Sequence, residues 1–313
     1  MDVPPRASCR RSLWAEMVRR RSAYCFVAPF LLAFAAFFLF PVAAALAFSF
    51  TRWNGIGAPQ FVGLQNYFRL FRDAAFWNAL RNTALFSALN VALSASLGLA
   101  LALFLNQAGR ARGWLRTAFF APSVVSLAVV ALVWKLIYNP EFGLLSPHLA
   151  WAAPALEGNP AGPIHWLESR RLAIPCLAVA NVWAVVGLQM AVFLAALQSM
   201  PAPLYEAARL DGASAVQRFF HITLPLLKPT TFFVVLISLF DSLQVFVLPQ
   251  IMTRGGLDLA SDTVVLYLCR NGFEYFRLGY ASAAAYALFV LTVAATLTVR
   301  AAMGKAEGGL LPD

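Results

Sequence analysis

Residues Glu206–Pro229 read EAARLDGASAVQRFFHITLPLLKP, a polar-faced stretch lying between two apolar segments that are each long enough to cross a bilayer. Leu204, Ala208, Ala215 and Phe219 fall near one face at helical spacing, so the stretch is expected to form a short amphipathic helix held against a membrane domain. Glu206 is expected near its start, where a negative charge meets unpaired backbone N–H groups. Gly212 costs a helix roughly 1 kcal/mol relative to alanine, so it implies either close approach of another backbone or a bend between two half-helices. Pro225 and Pro229 mark the return into the membrane.

The rest of the chain fits that placement. Of 313 residues 61% are hydrophobic and only 12% are charged, about half the share usual for a soluble domain. Gathered into long apolar runs, this composition specifies an all-α polytopic membrane protein. The expected spans are Tyr24–Phe50, Thr83–Leu105, Thr117–Tyr138, Ala173–Gln198, Thr230–Pro249 and Gly279–Val299, which makes six. The first is too long for a signal-peptide core, so residues 1–23 are expected to stay attached and cytoplasmic. Pro29 and Pro41 are expected to kink it. The net charge of +10 does not point to nucleic acid, because the arginines flank apolar spans. Arg10, Arg11, Arg19, Arg20 and Arg21, with Arg110, Arg112 and Arg116, place both chain ends inside. Arg69, Arg72, Arg170, Arg171 and Arg277 fall on the outside and blur that bias.

Between the spans, Asp73 is expected to cap a short helix along the outer interface, and Trp53, Tyr67, Trp77, Trp134, Tyr138, Trp151 and Trp166 suit interfacial depth, with Lys135 snorkelling. Asn181 and Gln189 are eight positions apart and share a face, which must meet protein or a water-filled path. Asp241 is the one clear carboxylate within a span, with Gln244 near it. These four are candidates for a translocation path or a helix interface. The cysteines Cys9, Cys25, Cys176 and Cys269 lack metal or redox spacing, and His148, His165 and His221 are scattered. There is no G-x-x-x-x-G-K-[ST] phosphate loop. The chain is therefore expected to be no enzyme and to bind no cofactor or metal; uphill transport would draw its energy from a partner or an ion gradient.

The pattern E-A-A, three residues, G, nine residues, I, one residue, L-P is complete in Glu206, Ala207, Ala208, Gly212, Ile222, Leu224 and Pro225. It resembles the cytoplasmic loop of sugar-type permease subunits of binding-protein-dependent ABC importers (maltose and glycerol-phosphate permease-like). FVGLQNY at 61–67, VWKLIYNPEFGLL at 133–145 and FVLPQIMTRGG at 246–256 are similar to the same family, although Leu257 stands where a proline often follows the paired glycines. The resemblance covers roughly residues 24–300 and implies the type I ABC importer permease fold, six transmembrane helices with a cytoplasmic coupling helix in the loop 199–229, followed by a cytoplasmic tail at 301–313. It further implies ATPase-coupling roles for Glu206, Ala207, Ala208, Asp211, Gly212, Phe219, Ile222, Leu224 and Pro225. The implied partners are a homologous second permease, a dimer of ATPase subunits carrying ATP and Mg, an extracytoplasmic solute-binding protein, the lipid bilayer of a bacterial inner membrane, and a sugar-like solute. An ion-coupled secondary transporter using Asp241 and a non-transporting membrane anchor are the alternatives.

Overall fold

The computed structural model describes residues 21–107, 112–145, 148 and 164–304. Arg10, Arg11, Arg19, Arg20, Arg110, Trp151, Lys305 and Cys9, and most of the segments 1–23 and 301–313, lie outside the described residues.

Six apolar helical units run along the chain if each of two sharply bent pairs counts as one span. They are α1 (Phe26–Ser49), α3 (Ala74–Gln107), the bent pair α4 (Gly113–Val124) and α5 (Leu127–Ile137), α6 (Ala173–Gln198), the bent pair α8 (Ala215–Leu226) and α9 (Lys228–Leu243), and α11 (Leu278–Ala302). A strand pair, β1 (Thr51–Arg52) and β2 (Gln60–Phe61), and helix α2 (Gln65–Arg72) join the first two spans. Helix α7 (Ala202–Leu210) precedes α8, and the short α10 (Val264–Cys269) precedes α11. With six crossings, the α7–α8 loop lies at one end of the bundle, and α2 and α10 lie at the other.

In α1 the expected kink takes the form of a π turn over Ala35–Leu39, closed by Phe40 N–H on the Ala35 carbonyl. Pro41 has no N–H to offer the preceding turn, and the wider turn accommodates it. Helix α3 begins at Ala74, well before the expected Thr83, because Asp73 Oδ1 accepts the Ala75 N–H at 2.9 Å. Asp73 therefore caps the long span, while the short helix α2 ends at Arg72. At 34 residues α3 is about 51 Å long, so it reaches well past a hydrocarbon core of about 30 Å.

The third span is broken. Pro122 opens a tight turn over Ala121–Val124, Val125 is extended, and α5 leaves at 99° to α4. The fifth stops at Leu243 instead of Pro249. Ser238 and Ser242 turn their hydroxyls onto carbonyls one turn back, and Pro249 opens a separate π turn over Pro249–Thr253. Arg254, Gly255 and Gly256 then all have left-handed backbone, with φ of 51°, 88° and 71°. Lys135 donates to the Ile251 carbonyl in this region at 3.3 Å, so it ties α5 to the π turn instead of only snorkelling. Tyr138 and Trp166 are buried within the chain: Tyr138 donates to the Cys176 carbonyl at 3.2 Å and its ring lies 6.0 Å from that of Trp166.

Helices α3 and α6 form the central pair. Gly98 makes their approach possible, since a β-carbon there would sit 3.0 Å from Cβ of Gln189. One apolar cluster around Leu105, Met190, Phe193, Leu194, Leu227 and Val234 fills the α7–α8 end of the bundle. A second, around Leu70, Phe76, Val264, Tyr267, Tyr280 and Leu288, fills the opposite end. Helix α1 meets mainly α11 and leaves Phe26, Phe30, Phe37 and Phe40 exposed on this chain.

Candidate coupling loop and intramembrane polar seam

The α7–α8 loop takes its shape from bonds between near neighbours. Helix α7 is nine residues long, and Glu206 stands at its middle, with no acidic residue in its first turn. The sequence expectation of Glu206 at a helix N-terminus is thus corrected: Pro201 precedes α7, and the helix starts four residues before the glutamate. Of the two readings open for Gly212, the chain takes the bend between two half-helices. At φ 77°, Gly212 ends α7 in a Schellman motif, with Ala213 N–H on the Ala208 carbonyl at 2.9 Å and Gly212 N–H on the Arg209 carbonyl at 3.1 Å. Ser214 then opens α8 with a capping box: its hydroxyl accepts the Gln217 N–H, and its own N–H donates to Gln217 Oε1 at 2.8 Å.

Leu204 and Ala208 therefore lie on one helix, and Ala215 and Phe219 on another. The two halves are tied together by side-chain bonds. The Tyr205 hydroxyl lies 2.9 Å from Thr223 Oγ1, and Arg218 Nη1 donates to the Ala213 carbonyl at 2.8 Å. Among the described residues, nothing beyond its chain neighbours lies within 4 Å of a β-carbon built on Gly212. Its demand for glycine is thus a backbone demand, and close approach there would have to come from another molecule. Leu210, at 90% exposure, projects from the tip, while Val216 and Phe220 are also exposed. Glu206, Ala207, Asp211 and Gly212 are exposed as well, whereas Ala208, Phe219, Ile222, Leu224 and Pro225 are half-buried where the loop meets the bundle. Leu227, just past Pro225, is fully buried among Leu105, Phe193 and Val234.

Inside the bundle, Asn181 Nδ2 donates to Asn90 Oδ1 at 2.9 Å and Gln189 Nε2 donates to Ser238 Oγ at 2.8 Å. Both amides of α6 thus lie in helix–helix contacts, one with α3 and one with α9. Asn90 Nδ2 and Gln189 Oε1 have no hydrogen-bond partner among the described residues. Asp241 is exposed on this chain beside Asn181, whose side chain is its hydrogen-bonding neighbour. Gln244 is exposed at the C-cap of α9, outside the helix proper. Sequence reading missed Asn90 and Ser238. The signal was the polar series Thr83, Ser87, Asn90 and Ser94 in α3, whose spacing puts them on one helix face.

At the opposite end the bonds are long-range. Tyr267 and Tyr280 both donate to Asp73 Oδ2, at 2.7 and 2.9 Å, and Asn82 Nδ2 donates to the Asp262 carbonyl at 3.0 Å. Asp262 is buried and 3.3 Å from Arg270 Nη1. Burial pushes its carboxyl up to about 6, with Arg270 pulling it down and Glu274 adding to the rise. Among the described residues no cluster of His, Cys, Asp and Glu is arranged to hold a metal ion.

This arrangement of bent spans around a protruding two-helix loop recurs in known proteins. In a crystal structure of a bacterial ABC transporter involved in the import of the acidic polysaccharide alginate, one chain superposes with a TM-score of 0.79 at 24% identity, covering 94% of this chain and 98% of that one. The probable ABC transporter permease protein YurN of Bacillus subtilis is 36% identical over 278 residues, 88% of this chain and 93% of its own length. The trehalose/maltose transport system permease protein MalF of Thermococcus litoralis is 34% identical, covering 88% of this chain and 90% of its own. Residues 94–303 match the sequence profile of the binding-protein-dependent transport system inner membrane component family, and the chain belongs to it as a permease subunit of an ABC importer.

Proposed function

We propose that this permease carries a sugar, oligosaccharide or polyol-phosphate-type solute, and that its α7–α8 loop is the cytoplasmic contact through which a separate ATPase dimer drives it. The observation that carries the reading is the complete Glu206–Pro225 pattern folded into two helices bonded to each other, with Leu210 exposed at the end of the first. The solute class is supported by relatives described as permeases for arabinooligosaccharides, trehalose/maltose and sn-glycerol 3-phosphate.

Residues 24–300 then form the transmembrane domain, with segments 1–23 and 301–313 cytoplasmic. Gly212, Asp211 and the exposed face of Glu206 and Ala207 meet the ATPase, which binds the ATP and Mg. Ala208, Phe219, Ile222, Leu224 and Pro225 hold the loop to the bundle. The Tyr205–Thr223 contact makes the two arms move together, and buried Leu227 passes that movement to α3 and α6. Two alternative packings of such helices, biased by ATPase closure, are sufficient for alternating access and need no catalytic residue in this chain. Asp241, an acid open on the surface of a membrane-depth helix, needs water or a partner group, which supports a second permease and a polar path on that face. Asn181, Gln189 and Gln244 lie on or behind that face. A solute-binding protein delivers the solute from outside.

Gly212→Val tests the reading. In the reconstituted complex with its ATPase, a second permease and a binding protein, uptake is expected to fall at least about tenfold while the permease still inserts, because an L-side chain in the left-handed region costs about 1–2 kcal/mol and a valine would stand in the docking contact. Normal coupled uptake by this variant overturns the coupling role. Leu210→Cys labelled by an impermeant thiol reagent from outside intact cells overturns the orientation, and uptake by this chain alone under an ion gradient overturns the ABC mechanism for it.

A further inference from the structure

At the end of the bundle away from the α7–α8 loop, a cleft of about 630 Å³ opens between the β1–β2 pair, α2 and the start of α11. Three guanidinium groups line it, from Arg52, Arg69 and Arg277, and among the described residues no acidic one does. Among the described residues none of the three lies within ion-pair distance of a carboxylate. Asp73, one helical turn from Arg69, has its oxygens engaged by the Tyr267 and Tyr280 hydroxyls and by the Ala75 N–H.

The three cations are brought together and held. Asn66 donates to the carbonyls of Ser49 and Thr51, both at 2.8 Å, and so fixes α2 and Arg69 against the end of α1. Gly279 N–H donates to the Trp53 carbonyl at 3.3 Å and sets the start of α11, with Arg277, beside Arg52. Arg69 stacks over the Tyr280 ring at 5.2 Å and Arg277 over the Tyr275 ring at 5.7 Å. Phe276 takes a left-handed φ of 52°, a costly backbone for a bulky residue, and lines the cleft with an exposed ring.

Depth in the membrane follows from the chain. Arg52 stands three positions beyond the last residue of span α1, and Arg277 immediately precedes the first residue of span α11. Both therefore stand at the ends of apolar spans, where a helix leaves the hydrocarbon. Helix α2 carries exposed Phe68 and Phe71 beside Arg69, and Ile56 and Phe61 are exposed around the same mouth. Apolar side chains reaching the acyl boundary with guanidinium groups above them match an anionic headgroup and not a dissolved anion.

We propose that this cleft binds the phosphate of an anionic phospholipid headgroup. Arg52, Arg69 and Arg277 receive the phosphate oxygens, for which the planar guanidinium fork is suited, and Phe276 and the aromatic face of α2 cover the glycerol and upper acyl region. The site would also account for arginines at a bundle end where charge bias alone does not call for them. It rests on the membrane spans and does not depend on which side the α7–α8 loop faces; that orientation sets only the leaflet.

The test is native mass spectrometry of the full-length chain in detergent with phosphatidylglycerol, phosphatidylcholine or inorganic phosphate added. Wild type is expected to retain phosphatidylglycerol at least about tenfold more tightly than phosphatidylcholine. Arg69→Gln and Arg277→Gln are each expected to weaken that lipid about fivefold, the worth of one cation near an anionic surface. Arg170→Gln, at the same end of the bundle but outside the cleft, is expected to leave it unchanged. If Arg69→Gln destabilises the fold by losing its ring contact, Arg52→Gln, which has no such contact, carries the test. Equal retention of the two lipids overturns the proposal, as does equal loss in Arg170→Gln. Binding of inorganic phosphate with no lipid preference assigns the cleft to a soluble anion instead. Unchanged lipid binding, with weakened capture of the solute-binding protein by Arg69→Gln, assigns it to a protein partner.

Discussion

In the α7–α8 loop the shaping bonds stay within the segment, joining residues three to five positions apart in Ser214–Gln217 and Arg218–Ala213 and eighteen apart in Tyr205–Thr223. At the other end of the bundle several join residues 177 to 207 positions apart, as in Asn82 to the Leu259 carbonyl and Tyr280 to Asp73. The first kind of structure can be displaced as a body without breaking the core, because its bonds are internal to the segment. The second kind is a latch: the start of α3, the loop before α10 and the start of α11 lose their mutual positions together if one bond fails. Under the proposed coupling role, a loop that moves and an opposite end that holds make a useful division.

The largest effect that separates the two ends is expected from Asp73→Ala. It removes the cap of α3 and takes a charged acceptor from two buried phenols, Tyr267 and Tyr280. A lost cap costs about 1 kcal/mol and stranded buried hydroxyls about 1–3, reduced here because the two hydroxyls lie 2.8 Å apart and can bond each other. A loss of about 2–3 kcal/mol should lower the melting temperature of the detergent-solubilised protein. Melting unchanged to within a degree would mean that the remote bonds are not a latch.

Gly212→Ala is expected to have a smaller effect of about 1 kcal/mol, the strain of an L-residue in the left-handed region. It should be confined to the loop: faster hydrogen exchange over 202–226 with global melting unchanged. Ser214→Ala should act in the same way, with up to about 1 kcal/mol lost from the capping box. If either substitution lowers global melting as much as Asp73→Ala does, the loop belongs to the cooperative core and the contrast fails.

The same division explains how much could be read from the chain. The membrane class and the loop motif were legible because apolar runs and a fixed residue pattern are local properties. Gly212 is compatible in sequence with a bend or a close approach, and the structure selects the bend through the Ser214–Gln217 box, itself a local signal. Asp73 is legible as a cap, but it caps α3 through the Ala75 N–H, and its other carboxylate oxygen is taken by tyrosines some 200 positions away that the sequence does not reveal. The break at Pro122 and the early stop at Leu243 were hidden by continuous hydropathy, which reports burial in lipid and is blind to backbone direction. Asn181 and Gln189 could be placed on one face, whereas Asn90 and Ser238, which receive them, depend on tertiary packing.

The smallest expected effect is in acid, and its sign tests how the latch is charged. Burial raises the Asp73 carboxyl, but hydrogen bonds from Tyr267, Tyr280 and the Ala75 and Phe76 N–H groups outweigh it and leave the group below its ordinary value of 3.8. A carboxyl held lower in the folded state stabilises at every pH above the unfolded value and loses that contribution as pH falls through the folded one. Asp262 runs the other way: raised to about 6, it binds a proton in the folded state before the unfolded chain does, so acidification from about pH 6 to 4 favours folding through that group. The wild-type melting curve therefore mixes opposite slopes, and the informative quantity is its difference from Asp73→Asn. That difference should be flat from pH 7 to about 4 and shrink below it, by a small amount because the shift is modest. A difference that stays constant to pH 3 would show that the two tyrosines serve the neutral carboxyl as well as the charged one, and the latch would then be a matter of shape and not of charge.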